Sequence, residues 1–411
     1  MIKKILPANQ TIQEEMQLIV TKPHNDWAQF PKSDIPILPV IDCHFSTKKY
    51  GNHNNTESVF FSKSNIYSHS GRYAFSQALE IIDIDPQCSV LIPSYHCLSM
   101  IAPVFWTGAD IQFYKLKKDL SIDVVDIENK ISPSTRAVVV VHYFGFPQNL
   151  SRVMEICKKY NISLIEDCAH AFFGTMGAKK IGGSGDFAIA SLKKFFPVAD
   201  GGVLAVKGNM DKKPYQTSLK IVTQLKYMIN LLEESVLNKR LESIKIIFEV
   251  FRKLRHQRQH SDEKELVDFD RELSDFLKIQ SWFDPDQKTK KISRLSKYIV
   301  ENSNIGRICT MRRENFSYLL KHFNRLKPVT PLYSTLPQNI VPYMFPLVLK
   351  NPDTDFIKLK KKKIPIWRWE ELCMSDCKTS RYYSKHLIQL PCHQSLKKYE
   401  LDAIVQAVKE L

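Results

Sequence analysis

From Ser70 to about Gly208, short apolar runs alternate with stretches whose apolar residues recur at helical spacing. The runs are Val90–Ile92, Ile111–Tyr114, Ala137–Val141, Ser163–Ile165, Phe187–Ala190 and Val203–Val206. Their alternation with helical stretches predicts an α/β fold, a mostly parallel sheet with helices on both faces. From about residue 335, Tyr343–Leu349 and Ile364–Trp367 read as strands and Leu401–Leu411 as an amphipathic helix, which predicts a smaller α/β C-terminal domain. Between them, Ile221, Leu225, Met228, Leu232, Val236, Leu241, Ile244, Phe248 and Phe251 recur at near-helical spacing, with Lys220, Lys226, Lys239, Arg240, Lys245, Arg252, Lys253, Arg255 and Arg258 around them. The pattern divides the chain into an N-terminal segment (1–65), a large domain (66–209), a helical insertion or connection (210–334) and a small C-terminal domain (335–411).

A chain of 411 residues with 44% hydrophobic residues has ample material for such a core. The start, Met1-Ile2-Lys3-Lys4-Ile5-Leu6-Pro7, lacks the apolar run of a signal peptide, and no uninterrupted span suits a membrane-crossing helix, so a cytoplasmic location is expected. The odd count of 9 scattered cysteines argues against a disulfide framework. Cys373, Cys377, His386, Cys392 and His393 match no common zinc spacing, and no metal is expected. The net charge of +16 suits nucleic acid, a membrane surface or an anionic substrate. Nucleic-acid motifs are missing, and Lys360–Lys363 reads as a solvated helix end. The apolar face from Ile221 to Phe251 needs a cover: the main domain, a partner subunit, or an anionic membrane surface beside the basic residues.

Three stretches carry candidate chemistry. Lys194 lies between two predicted strands, beside Phe195 and Phe196, and Ser191 precedes it in a Ser-x-x-Lys arrangement. Partial burial would lower the pKa of that amine toward the neutral form that a Schiff-base lysine needs, although a solvated loop lysine reads the same way. The predicted strand Ile162–Ile165 runs into Glu166-Asp167-Cys168-Ala169-His170, at the sheet edge where open α/β folds bind ligands. Asp167 could hold a pyridine nitrogen protonated or simply cap a helix. Ser68-His69-Ser70-Gly71-Arg72 opens a helix whose free N–H groups suit a phosphate, or is an ordinary helix start.

In this order the three stretches resemble the DegT/DnrJ/StrS family of pyridoxal-phosphate sugar aminotransferases, of the aspartate-aminotransferase fold type. Ile92-Pro93-Ser94-Tyr95, Gly108-Ala109-Asp110, His142-Tyr143-Phe144-Gly145, Gly185-Asp186, Asp200-Gly201-Gly202 and Leu390-Pro391-Cys392-His393 add to the resemblance. It implies that the large domain binds pyridoxal 5'-phosphate, with Lys194 as the Schiff-base lysine, Asp167 on the pyridine nitrogen and His170 beside the ring and its phenolic oxygen. Ser70, Gly71, Arg72 and Ser191 would hold the phosphate. Cys97 stands where the family often has an aromatic residue, which leaves His96 or Tyr95 to cover the ring. The implied activity is amination of a nucleotide-linked keto-sugar with an amino-acid donor such as glutamate, in a homodimer. Amination of another ketone or aldehyde, or a regulatory protein that binds the cofactor without turnover, are the alternatives.

Overall fold

The computed structural model describes residues 18–20, 30–46, 56–208, 213–246, 248, 275–369 and 371–411. In chain order its elements begin with β1 (Leu18–Val20), β2 (Ile66–Ser68), α1 (Gly71–Ile81), β3 (Ser89–Pro93), α2 (Leu98–Phe105) and β4 (Asp110–Tyr114). α3 (Val124–Lys130), β5 (Thr135–Val141), α4 (Ser151–Tyr160), β6 (Ser163–Asp167), β7 (Phe187–Ser191) and β8 (Gly202–Val206) complete the large unit. α5 (Ile221–Leu237), α6 (Asp275–Ser281), α7 (Arg294–Asn302) and α8 (Ile305–Phe323) follow. The C-terminal part holds β9 (Val329–Pro331), β10 (Met344–Leu349), α9 (Pro352–Lys361), β11 (Glu371–Cys373), α10 (Lys378–His386), β12 (Leu387–Pro391) and α11 (Lys398–Lys409).

The large sheet has seven strands in the order β2-β8-β7-β6-β5-β3-β4. Pairing is parallel from β7 through β4, as the apolar runs predict, because strands buried on both faces need no polar alternation. β8 is the exception: it runs antiparallel to both β7 and β2. β2 is too short, at three residues, to register in a hydrophobic pattern, and it extends the sheet beyond the predicted set. α1 packs Ala74, Phe75, Ala78 and Leu79 onto the sheet, all at most 1% exposed. Burial of Phe75 alone contributes roughly 2–3 kcal/mol.

A second core surrounds the three-stranded sheet β9-β10-β12. It starts at Phe316, inside α8, so that helix spans both cores: Ile308 and Cys309 belong to the first, Phe316, Leu319 and Phe323 to the second. This places the beginning of the second core within the stretch that the sequence pattern assigns to the connection.

The insertion is covered only in part by the rest of the chain. On α5, Leu231 and Ser235 are buried, but Ile221 is 75%, Val222 78%, Leu225 49% and Ile229 46% exposed. The helix therefore has an inner face on the main body and an outward apolar stripe that the body does not cover. Phe251 and the basic residues from Arg252 to Arg258 lie outside the described residues. Among the described residues no helix is long and apolar enough to cross a membrane.

Candidate active site

The carboxyl ends of β5, β6 and β7 open into a cavity of about 290 Å³ whose lining includes Val141, Asp167, Ile189 and Ser191. Parallel strands of this kind end together at one edge, which is where the sequence places a ligand. His69, Ser70, Gly71, Arg72, Cys97, His170, Lys194, Asp200 and Trp369 also line it.

The end of the cavity at the start of α1 is built by a close approach of two backbones. Gly202 pairs with both Ser68 and Ser191 across β8. A Cβ added at Gly202 would stand 2.1 Å from the Ser70 carbonyl oxygen, so only glycine lets β8 pass the start of α1 this closely. Ser70 takes the N-cap position in an extended conformation, yet its hydroxyl caps nothing. That Oγ is buried without a hydrogen-bond partner. A buried hydroxyl left empty at a helix N-terminus fits an anion that would accept its hydrogen bond along with the free N–H groups of the first turn.

Lys194 ends a single 3-10 turn that follows β7, as the loop between strands predicted. Its Nζ sits 5.3 Å from the centre of the Tyr343 ring. Burial pulls its pKa below the usual lysine range, against the opposing pull of Cys97 and Asp167. Asp167 ends β6, and its Oδ1 accepts from the Ala169 N–H at 2.8 Å in a local turn; no helix follows, so it is not a helix cap. Burial raises its pKa, with Lys194 and the Ala169 N–H acting the other way, which marks a carboxylate in need of further positive charge.

His170 lies between Phe144, 5.5 Å away, and Tyr343, 4.5 Å away. Burial, then Lys194, hold its pKa well below the ordinary value, so the ring is neutral. Its Nδ1 accepts from the Phe144 N–H at 3.4 Å, which leaves the proton on Nε2 as a donor. Phe144 aims that N–H from a left-handed conformation with φ of 57°, costly for a non-glycine residue and a sign of local constraint.

Seven of the eight expected residues thus converge: Ser70, Gly71, Arg72, Asp167, His170, Ser191 and Lys194. His96 does not. Its ring is fully buried against Phe113 at 4.9 Å, its Nδ1 is 3.1 Å from the Pro93 carbonyl, and its Nε2 accepts from the Cys373 N–H at 3.1 Å. Burial lowers its pKa to about 4, as suits a neutral strut between the sheet and β11. Tyr95 is turned into an aromatic cluster with Trp369 at 4.7 Å and Tyr143 at 5.8 Å. Trp369, from a segment with no recognisable motif, does reach the cavity, as does Phe75 of α1.

Sequence reading also missed Arg312, whose guanidinium is fully buried. It donates to Lys194 O at 2.7 Å, Tyr343 O at 2.9 Å and the Gln394 side-chain oxygen at 3.1 Å. Gln394 in turn donates to Phe195 O at 2.8 Å. These acceptors are neutral, and burial pushes the Arg312 pKa down to about 10. The pair therefore pins the backbone on which Lys194 rides. Arg312→Met should cost on the order of 3 kcal/mol by leaving buried carbonyls unpaired, read as a lower urea midpoint with unchanged slope.

Just behind Asp167, His142, Glu166 and Cys168 bring ligand-type atoms within 4.8 Å of one another. Glu166 is already engaged by His142 Nε2 at 2.8 Å and by the N–H groups of Gly182, Ser184 and Gly185 at 2.6–3.1 Å. It is thereby a structural clamp on the 182–185 turn. Cys392 and His393 instead face the carbonyls of Tyr343 and Pro36.

Residues 61–221 match the model of the DegT/DnrJ/EryC1/StrS aminotransferase family. The chain is similar to the UDP-N-acetyl-3-dehydro-alpha-D-glucosamine 3-aminotransferase of Acidithiobacillus ferrooxidans, at 28% identity over 35% of this chain and 40% of that one. It is also similar to the GDP-perosamine synthase of Escherichia coli O157:H7, at 29% identity over 36% of this chain and 41% of that one. The match thus spans about two fifths of the length of these relatives. In fold, the chain resembles a Streptococcus pneumoniae protein described as a putative sugar aminotransferase, in its apo form, with a TM-score of 0.63 at 14% identity over 92% of this chain and 97% of that one. DesV of S. venezuelae gives a TM-score of 0.58 at 17% identity over 86% and 85%.

Proposed function

We propose, from the match of residues 61–221 to the DegT/DnrJ/EryC1/StrS aminotransferase family, that the chain is a pyridoxal-phosphate-dependent aminotransferase. Its substrate would be a nucleotide-linked keto-sugar and its amino donor an amino acid such as glutamate. The observation that carries the proposal is the convergence of Lys194, Asp167 and the unpartnered Ser70 hydroxyl around one cavity. The donor set fits the cofactor: a lysine amine kept toward neutrality, a buried carboxylate short of positive charge, and an empty anion cradle. Relatives named as acting on UDP- and GDP-linked sugars support the substrate class.

When bound, pyridoxal phosphate supplies an aldehyde and an electron-withdrawing ring that takes up the electron pair left on a deprotonated carbon. The protein contributes position and proton transfer. Ser70, Ser191 and the N-terminus of α1 would hold the phosphate, and Asp167 would pair with the protonated ring nitrogen. His170, neutral, offers its Nε2–H as a fixed donor toward the ring oxygen. Lys194, as a free amine, would be the general base that takes the proton from the substrate carbon and returns it. Pinned through its own carbonyl by Arg312, it does so from a fixed backbone.

Mixing the cofactor-loaded protein with glutamate should convert the aldehyde chromophore to the amine form, and a nucleotide keto-sugar should restore it. A chromophore that survives glutamate and other amino donors unchanged would favour the non-catalytic reading. We further infer a homodimer that covers the outward stripe of α5. The wild-type protein should scatter light as a dimer, and Leu225→Asp with Ile229→Asp as a monomer. Flotation of the wild type with phosphatidylglycerol vesicles at low salt would point to a membrane cover instead.

A further inference from the structure

Tyr343 is not on the cavity wall, yet it touches residues that are. It immediately precedes β10, in the C-terminal part, and is 1% exposed. Both of its backbone groups are engaged: the N–H donates to the Phe144 carbonyl at 2.9 Å, and the carbonyl accepts from Arg312 Nη1 at 2.9 Å. Arg312 Nη2 bonds the Lys194 carbonyl at 2.7 Å, so one guanidinium holds the backbones of Lys194 and Tyr343 at once. Its fork is planar and rigid, which fixes their separation.

The Tyr343 ring lies 4.5 Å from His170, 26° off parallel, and 6.1 Å from Phe195. Lys194 Nζ stands 5.3 Å from its centre, within the range at which an aromatic face attracts an ammonium group. The phenol hydroxyl is buried and bonds nothing among the described residues, so what Tyr343 offers the amine is its ring.

The other groups around the amine come from different elements. The Asp167 carboxylate ends β6, the neutral His170 ring follows it, and the Cys97 thiol precedes α2. Arg312, on α8, turns its guanidinium to neutral oxygens and lies over the Phe195 ring at 4.5 Å. Lys193 is exposed. Apart from Asp167 and the thiol, none of these favours a charged amine, whereas the ring face does, and more strongly where water is excluded.

We propose that the Tyr343 ring is the seat of Lys194 whenever its amine is not bonded to the cofactor, and that the ring stabilises the ammonium form there. The inference rests on the cofactor reading above. It makes Tyr343 a positioning residue that acts through Lys194: the amine is kept beside Asp167 and His170, and a proton it has taken up is held over the ring until it is returned.

The rate at which pyridoxal phosphate attaches to the unloaded full chain, followed by absorbance across pH, tests it. Only the free amine attaches, so the wild-type rate should rise with pH through the Lys194 pKa. In Tyr343→Leu the attraction is gone and burial remains, so this limb should move to lower pH by about one pH unit. A ring that only packs predicts the reverse, because truncation lets water reach the amine and moves the limb up toward the ordinary lysine range. Tyr343→Phe keeps the ring face and removes a hydroxyl that bonds nothing, so its limb should stay in place. Trifluorophenylalanine at position 343 keeps the shape with an electron-poor face; it should move the limb down by less than Tyr343→Leu, and it tests the proposal even if Tyr343→Leu misfolds. A limb that stays or rises in a folded Tyr343→Leu or trifluorinated protein, or that moves in Tyr343→Phe, overturns the proposal. A wild type that attaches no pyridoxal phosphate at any pH overturns the cofactor reading itself.

Discussion

Lys194→Ala should fold normally and lose at least about 10⁴-fold in transamination rate, because it removes both the attachment point and the general base. Lys193→Ala, one residue away, should keep most of the activity, since Lys193 is exposed and Lys194 sits over Tyr343 beside Asp167 and His170. Borohydride treatment of the loaded wild type followed by peptide mapping should find the pyridoxyl group on Lys194. The same label on Lys193 would overturn the assignment. The acid limb of the pH–rate profile for cofactor attachment to the unloaded protein should report Lys194. Its pKa lies below the ordinary lysine value, so attachment should gain rate as pH rises through that lowered pKa and lose it as pH falls.

Asp167→Asn should still attach the cofactor and lose about 10²–10³-fold in rate, because the ring nitrogen loses the buried carboxylate that keeps it protonated. The substitution preserves an oxygen for the Ala169 N–H, so the turn should survive. It carries a second signature. Asp167 is one of the two groups that hold the Lys194 pKa up against burial. With that charge gone, the Lys194 pKa should fall further and the acid limb should move to lower pH. Near-normal turnover, or a limb that moves upward, would remove Asp167 from the proposed role.

The parallel strands were legible because a strand covered on both faces must be apolar throughout, and Val138-Val139-Val140 or Leu164-Ile165 leave few other readings. The cavity residues could be named because they sit at strand ends and a helix start, where local sequence dictates which backbone groups are free. Other parts depend on contacts far along the chain. Arg312 reaches Lys194 across 118 residues, and nothing around it in sequence distinguishes it from a solvated helix arginine. His96 was misplaced because adjacency to a predicted strand end does not say which way a side chain turns; here it turns into the protein, toward Cys373. The helical period of α5 was readable, yet the same apolar residues serve a covered face or an outward stripe, and only the structure tells them apart.

The antiparallel β8 has a consequence for synthesis on the ribosome. β2 and β7 are not neighbours; β8 joins them, and through it Ser70 comes to Ser191. A growing chain that has emerged only as far as Ser191 has made both halves of the proposed phosphate cradle and cannot yet bring them together. Closure waits for Gly202, and the anchor on Lys194 waits for Arg312 and Gln394. On the proposed function, cofactor loading would therefore be a late event for the nascent polypeptide, and premature termination upstream of Arg312 would leave a sheet in which Lys194 has no fixed seat.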